Sequence, residues 1–317
     1  MITSWLLPTP IPEEVNELVL QTQRKLRQVY VHEHVFRKLS PPSLYTQKPY
    51  ILQAMKDAKS LFVVPKTAET LALAAQVMKQ LPRLGKLTVN FRNFSLGDDD
   101  LDDDVTRVWD SIRETLLQSF VLMQAPHMPI RLRLLELSDV SLSLCGSTWC
   151  QFLDLGALSD LLISYCTRPD LFLDVLCDKG APKLQTFLLV HEVENTPKGS
   201  SISPYRLLKA SLDHFLKEAA GCLWDLRLHL RNVPNGYSLP EPDCITLHGS
   251  TLEHLVINMF CTSNKEAATY GYEDLKKVLI ACHSITQLGI AMPEHHKRYY
   301  DSPFQTSMVS HNTLNTL

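Results

Sequence analysis

Apolar residues recur along this chain at the first, fourth and sixth positions of a short segment, and the segment appears nine times. The set opens with Leu26-Val29-Val31, Ala58-Leu61-Val63, Leu84-Leu87-Val89, Leu132-Leu135-Leu137 and Leu158-Leu161-Ile163. Leu184-Phe187-Leu189, Leu223-Leu226-Leu228, Leu252-Leu255-Ile257 and Ile285-Leu288-Ile290 complete it. The fourth and sixth residues of each are two apart, so they share one face of an extended strand. Successive fourth positions lie 32, 26, 48, 26, 26, 39, 29 and 33 residues apart, and the thrice-repeated 26 argues for an internal repeat.

Helical periodicity precedes several of these strands. Ser203-Pro204 reads as an N-cap followed by proline at the first helical position, and Leu208, Leu212, Phe215, Leu216 and Ala219 then line one face until Gly221. Leu275, Val278, Leu279 and Cys282 do the same before Ile285, as do Leu71, Ala74, Ala75 and Met78 before Leu84. Val105, Val108, Trp109, Ile112, Leu116 and Phe120 make a longer version before Leu132. The expected order is helix, loop, strand, repeated.

A unit of this kind has an apolar helix face and an apolar strand face but cannot close a core alone, so it must stack on its neighbours. The expectation is an α/β solenoid over residues 1–292, with parallel strands on the inner, concave wall and helices on the outer wall.

Leu158-x-x-Leu161-x-Ile163-x-x-Cys166 resembles the cysteine-containing form of the leucine-rich repeat, and the chain as a whole resembles the degenerate repeats of fungal F-box/leucine-rich-repeat proteins. Elsewhere Arg92, Val140, Glu192, Arg231 and Phe260 occupy the ninth position, while Asn93, Asn232 and Cys261 come one residue late, which points to slipped turns. The resemblance implies a protein partner on the concave face and a link to Skp1/cullin-type ubiquitin-ligase components. Ile11-Pro12-Glu13-Glu14-Val15 looks like the opening of an F-box, the helical module that docks on Skp1. The strand-like Leu26–Val31 follows too soon for a whole module, so residues 12–25 read as a helix of the first repeat, with a shortened F-box as the alternative.

Composition narrows the choice of function. With 45% hydrophobic and 21% charged residues the chain can bury a core and is not a disordered type. A formal charge of −3 offers no general attraction for nucleic acid or anionic membrane, so neither is an expected partner. Leucine supplies 53 of 317 residues and glycine only 11, which disfavours a glycine-rich nucleotide loop. No run approaches the roughly 18 apolar residues of a membrane span. Met1–Leu7 is short, lacks a basic lead and is followed by Pro8, Pro10 and Pro12, so an intracellular protein, cytoplasmic or nuclear, is expected, with reduced cysteines.

Several features invite a chemical reading. Asp98, Asp99, Asp100, Asp102, Asp103 and Asp104 crowd carboxylates together, but without the alternation, bend glycine and terminal glutamate of a calcium loop. Residues 97–104 read instead as a solvated acidic insertion ahead of a helix. Cys145, Cys150, Cys166 and Cys177 lack the paired short spacings of a zinc site, and His295-His296 and His32-x-His34 lack partners. Neither a metal nor a cofactor is expected. No Gly-x-Ser-x-Gly or phosphate-loop motif occurs, which argues against an enzyme without removing one built from distant residues. Residues 293–317 read as a polar tail.

The fifth and seventh positions of each segment should point away from the core. They form the candidate partner-binding surface: Tyr30, Phe62, Asn90, Glu136, Leu162, Leu188, Val190, Arg227, His229 and Asn258. Apolar strand residues bordered by charge suit a protein partner if no other segment covers them. The leading expectation is a non-catalytic interaction module, possible substrate recognition for a ubiquitin ligase following from the resemblance alone.

Overall fold

A computed structural model of the chain describes residues 28–32, 57–65, 74, 77–78, 81–91, 130–143, 153–180, 182–193, 203–219, 221–234, 238–261 and 269–290. It is an α/β protein. The chain divides into two compact units, Met1–Leu158 with Tyr165–Arg168, and Ser159–Ser164 with Pro169–Leu317. The first contains β1 (Gln28–His32), β2 (Ser60–Val64), β3 (Lys86–Asn90) and β4 (Leu134–Ser138). The second contains β5 (Asp160–Ser164), β6 (Thr186–Glu192), β7 (Asp225–Val233), β8 (His254–Cys261) and β9 (Gln287–Ile290). Its helices are α1 (Pro169–Asp178), α2 (Pro204–Glu218), α3 (Pro242–Thr246) and α4 (Tyr272–Ala281).

Within each unit the strands pair parallel and in chain order, and their register is the phase of the sequence repeat. In the first unit Val29 stands opposite Leu61, Leu61 opposite Leu87 and Leu87 opposite Leu135. In the second, Leu161, Phe187, Leu226, Leu255 and Leu288 form the corresponding row. From β2 through β8 every fourth- and sixth-position side chain is fully buried. A one-residue slip in any strand would turn these side chains to the other face, so burial itself holds the register. On β9 the corresponding Leu288 and Ile290 are half-buried.

A backbone motif repeats with the side chains. The Lys59 carbonyl accepts from the N–H groups of both Gly85 and Lys86, and the Gly85 carbonyl from Arg133 and Leu134. In the second unit the carbonyls of Ser159, Gln185, Trp224 and Glu253 each accept from the two residues that open the next strand. The second-position carbonyl is thus satisfied by the following segment whether the intervening connection is short or long. Parallel pairing demands such crossovers of a dozen residues or more, and in the second unit α1, α2, α3 and α4 lie in them.

Helix α2 follows the expected pattern closely. Leu208, Leu212, Phe215, Leu216 and Ala219 are buried, and Gly221 takes a positive φ of 81° after the helix ends. Phe215 packs on Phe187 of β6 with ring centroids 5.0 Å apart, and the Tyr205 hydroxyl lies 3.8 Å from the Met259 sulfur of β8. Ser203 occupies the N-cap position by its extended backbone, but its hydroxyl makes no cap bond. Its carbonyl accepts from Arg206 N instead. Leu275, Val278, Leu279 and Cys282 are buried along α4, and Ala74 and Met78 before β3.

Helices α1 and α3 escape the sequence pattern, although Pro169 and Pro242 are first-turn prolines that mark both. α1 packs on α2, and α3 on α2 and α4. Gly249, just beyond α3, permits the last contact: a Cβ there would stand 2.4 Å from the Ala281 carbonyl oxygen. Asp213 ties α2 to α3, its buried carboxylate accepting from Lys209 Nζ at 2.5 Å and from Glu241 N at 2.9 Å.

The strands end in two different ways. In β7 the register shifts between Leu230 and Val233, and Asn232 absorbs the extra residue with φ 56°. After β4 and β5, Asp139 and Tyr165 take φ 54° and 55°, and Cys166 then lies buried with its thiol 3.4 Å from the Leu137 carbonyl. The acidic run 98–104, residues 293–317, the Ile11–Val15 motif, the helices expected at 12–25 and 105–120, Asn93, Cys145, Cys150, His34 and His295-His296 lie outside the described residues.

Candidate functional site

The ten candidate residues fall into two groups, one in each unit. Tyr30, Phe62, Asn90 and Glu136 belong to the strands of the first unit, and Phe62 stands opposite Tyr30 and Thr88. Lys86 Nζ lies 5.3 Å from the Phe62 ring centre, and Thr88 donates to Glu136 Oε2 at 2.9 Å. Thr88 and Ser138 are buried rather than outward and open. Phe62, Asn90 and Glu136 are half-buried. Strands about 4.8 Å apart let neighbouring side chains on this face shield one another.

Leu162, Leu188, Val190, Arg227, His229 and Asn258 belong to the second unit, where cross-strand register brings them into rows. Leu162, Leu188, Arg227, Val256 and Gly289 form one row, and Ser164, Val190, His229 and Asn258 the next. All six candidates are half-buried, on the face opposite the sealed core. The apolar members lie on β5 and β6, and the polar ones on β7 and β8.

The polar side chains are bound to one another. Arg227 donates through Nε and Nη2 to the two carboxylate oxygens of Asp225, at 2.8 and 2.9 Å. That bidentate bond raises the pKa of Arg227 still further. Asn258 Nδ2 lies 3.2 Å from His229 Nδ1, a contact in which the amide donates to a neutral ring. Burial, and then the positive charges of Arg227 and Arg231, hold the His229 pKa below its ordinary value.

Sequence reasoning passed over part of this face. Asp225, His254 and Trp224 sit at its edge, His254 Nδ1 being 3.6 Å from Asp225 Oδ2 and its ring 4.9 Å from that of Trp224. Asp225 and His254 are third-position residues, and a period of two already puts the third position beside the fifth and seventh. Glu192, Arg231 and Phe260 hold the ninth position, which the sequence reading treats as a turn. β6, β7 and β8 run on for seven to nine residues, so these are strand residues too.

Burial pushes the thiols of Cys244 and Cys282 up to about 11, and burial with Asp174, Glu218 and Asp178 pushes Cys177 up to about 12. These thiols stay protonated at neutral pH and are poor nucleophiles. Cys177, Cys244 and Cys282 take part in no disulfide. Among the described residues no three His, Cys, Asp or Glu side chains are placed to share a metal ion, and no helix is long and apolar enough to cross a membrane. No protein-family model and no curated protein matches this chain.

Proposed function

We propose that the chain is a non-catalytic protein-binding module built as a leucine-rich-repeat-like solenoid, and that the β5–β9 strand face receives the partner. The coincidence of side-chain register and second-position carbonyl bonds supports the repeat reading, since both recur across connections of very different length. The observation that carries the functional reading is the half-buried apolar patch of Leu162, Leu188 and Val190 beside a fixed Asp225–Arg227 pair. Apolar contact area next to pre-oriented charge is what a specific protein interface needs. The resemblance to F-box/leucine-rich-repeat proteins makes substrate recognition for a Skp1/cullin-type ligase the first assembly to examine.

The test is affinity capture with mass spectrometry, wild type beside a Leu162→Glu/Leu188→Glu variant whose circular dichroism matches. Loss of a discrete subset of captured proteins is the expected result. An identical set from both would remove this face from consideration.

A further inference from the structure

In the first unit, the chain segments that lead into β2, β3 and β4 form a basic rim. Ala58, Leu84 and Leu132 are buried there. The residues on either side of each, Asp57 and Lys59, Arg83 and Gly85, Arg131 and Arg133, therefore turn outward. The Lys59 carbonyl accepts from Gly85 and Lys86, and the Gly85 carbonyl from Arg133 and Leu134, which sets the three segments side by side.

Lys59, Arg83, Arg131 and Arg133 are exposed, and the half-buried Lys86 opens β3. Against these five cations the described carboxylates at the rim are Asp57 and Asp154, a net charge of +3. Counting Glu136, one outward row further along β4 and bonded to Thr88, still leaves +2. Asp57 and Asp154 do not saturate their arginines. Asp57 Oδ1 meets Arg83 Nη1 at 2.8 Å and Asp154 Oδ2 meets Arg131 Nε at 3.0 Å, while the two arginine side chains stay 67% and 83% exposed. In the middle of the rim Gly85 brings no side chain, so Lys59 and Arg133 flank an open step, about 10 Å apart across two strand spacings.

Such a rim attracts negative charge, and its extent selects the kind. Two of its arginines already hold carboxylates, and a width of three strands suits a few acidic side chains on one peptide. A nucleic acid would carry its phosphates past the rim and over the rest of a chain whose formal charge is −3. We propose that the rim binds an aspartate- or glutamate-rich segment of a partner protein, with one carboxylate over Gly85 between Lys59 and Arg133 and others on Arg83 and Arg131. This holds whether or not the β5–β9 face receives a partner of its own.

Fluorescence anisotropy tests the full chain against three labelled probes: a ten-residue peptide alternating Asp and Ser, its Asn and Ser counterpart, and a ten-nucleotide oligothymidylate. The Asp peptide should bind, more tightly than either other probe, and its affinity should fall as salt rises from about 50 to about 200 mM. Lys59→Glu/Arg131→Glu, at two exposed positions, should keep the wild-type circular dichroism and weaken the Asp peptide about tenfold, the loss of two surface charge contacts. A wild type that does not bind the Asp peptide, equal or tighter binding of the Asn peptide or the oligonucleotide, affinity indifferent to salt, or full affinity in the double variant would each overturn the proposal. The salt series and the probe comparison decide the matter on the wild type alone should the double variant not fold. Binding gained only by a D98N/D99N/D100N/D102N/D103N/D104N variant would assign the rim to the chain's own acidic run, and would equally overturn it.

Discussion

His248 sits fully buried two residues beyond α3, with both ring nitrogens engaged by backbone groups of opposite sense. Nε2 lies 3.0 Å from the Leu216 carbonyl in the last turn of α2, and Gly221 N donates to Nδ1 at 3.3 Å. One nitrogen must carry hydrogen and the other a lone pair, so the ring fits only when neutral. A second proton would point an N–H at the Gly221 N–H. Burial lowers the His248 pKa, the Leu216 carbonyl opposes that only in part, and no charged side chain contributes. With the folded pKa below the unfolded value near 6.5, the unfolded state binds more protons as pH falls. The stabilisation is complete above about pH 6.5 and is lost as pH drops toward the folded pKa. One proton limits the slope to about 1.4 kcal/mol per pH unit. Urea unfolding at pH 7.5, 6.5 and 5.5, followed by circular dichroism, measures it above the range where carboxylates titrate. His229 shifts in the same direction, so the His248→Gln variant isolates the residue: glutamine offers one donor and one acceptor without titrating. The variant should lose about 1–3 kcal/mol at pH 7.5 and show a shallower slope than wild type. A wild-type stability that does not change between pH 7.5 and 5.5, or equal slopes for the two proteins, would refute the reasoning.

Two further substitutions examine the helical layer of the second unit. Asp213→Ala strands Lys209 and leaves Glu241 N without its acceptor, which should cost about 2–4 kcal/mol in chemical denaturation; a loss below about 0.5 kcal/mol would show the link to be idle. Gly249→Ala drives a methyl group against the Ala281 backbone and should cost about 1–3 kcal/mol. Gly85→Ala, whose new Cβ would lie 3.8 Å from its nearest neighbour, the Lys59 carbonyl, should leave the thermal midpoint nearly unchanged. Equal midpoints for these two alanine variants would contradict the packing described.

The nine strands could be read from residue order because their signal is local. Two apolar residues two apart, with a third preceding them, describe a buried strand face wherever they occur, and register then follows from burying all of them together. The apolar stripe of α2 and the glycine that ends it are equally local. Short helices such as α3, five residues long, carry too few turns for periodicity to register. The first-turn prolines were the available sign.

The character of the outward face is a different matter. Composition and spacing identified Arg227, His229 and Asn258 as outward residues, but not which of the neighbouring charges was already satisfied. Glu192 could equally have paired with Arg231. It takes Asn232 instead, 40 residues away in sequence, because a bulge in β7 turns that asparagine into a left-handed conformation. Residue order alone determined which side chains leave water, since burial depends on alternation within one strand. Tertiary structure alone decided which charges remain free, since that depends on partners delivered by separate strands.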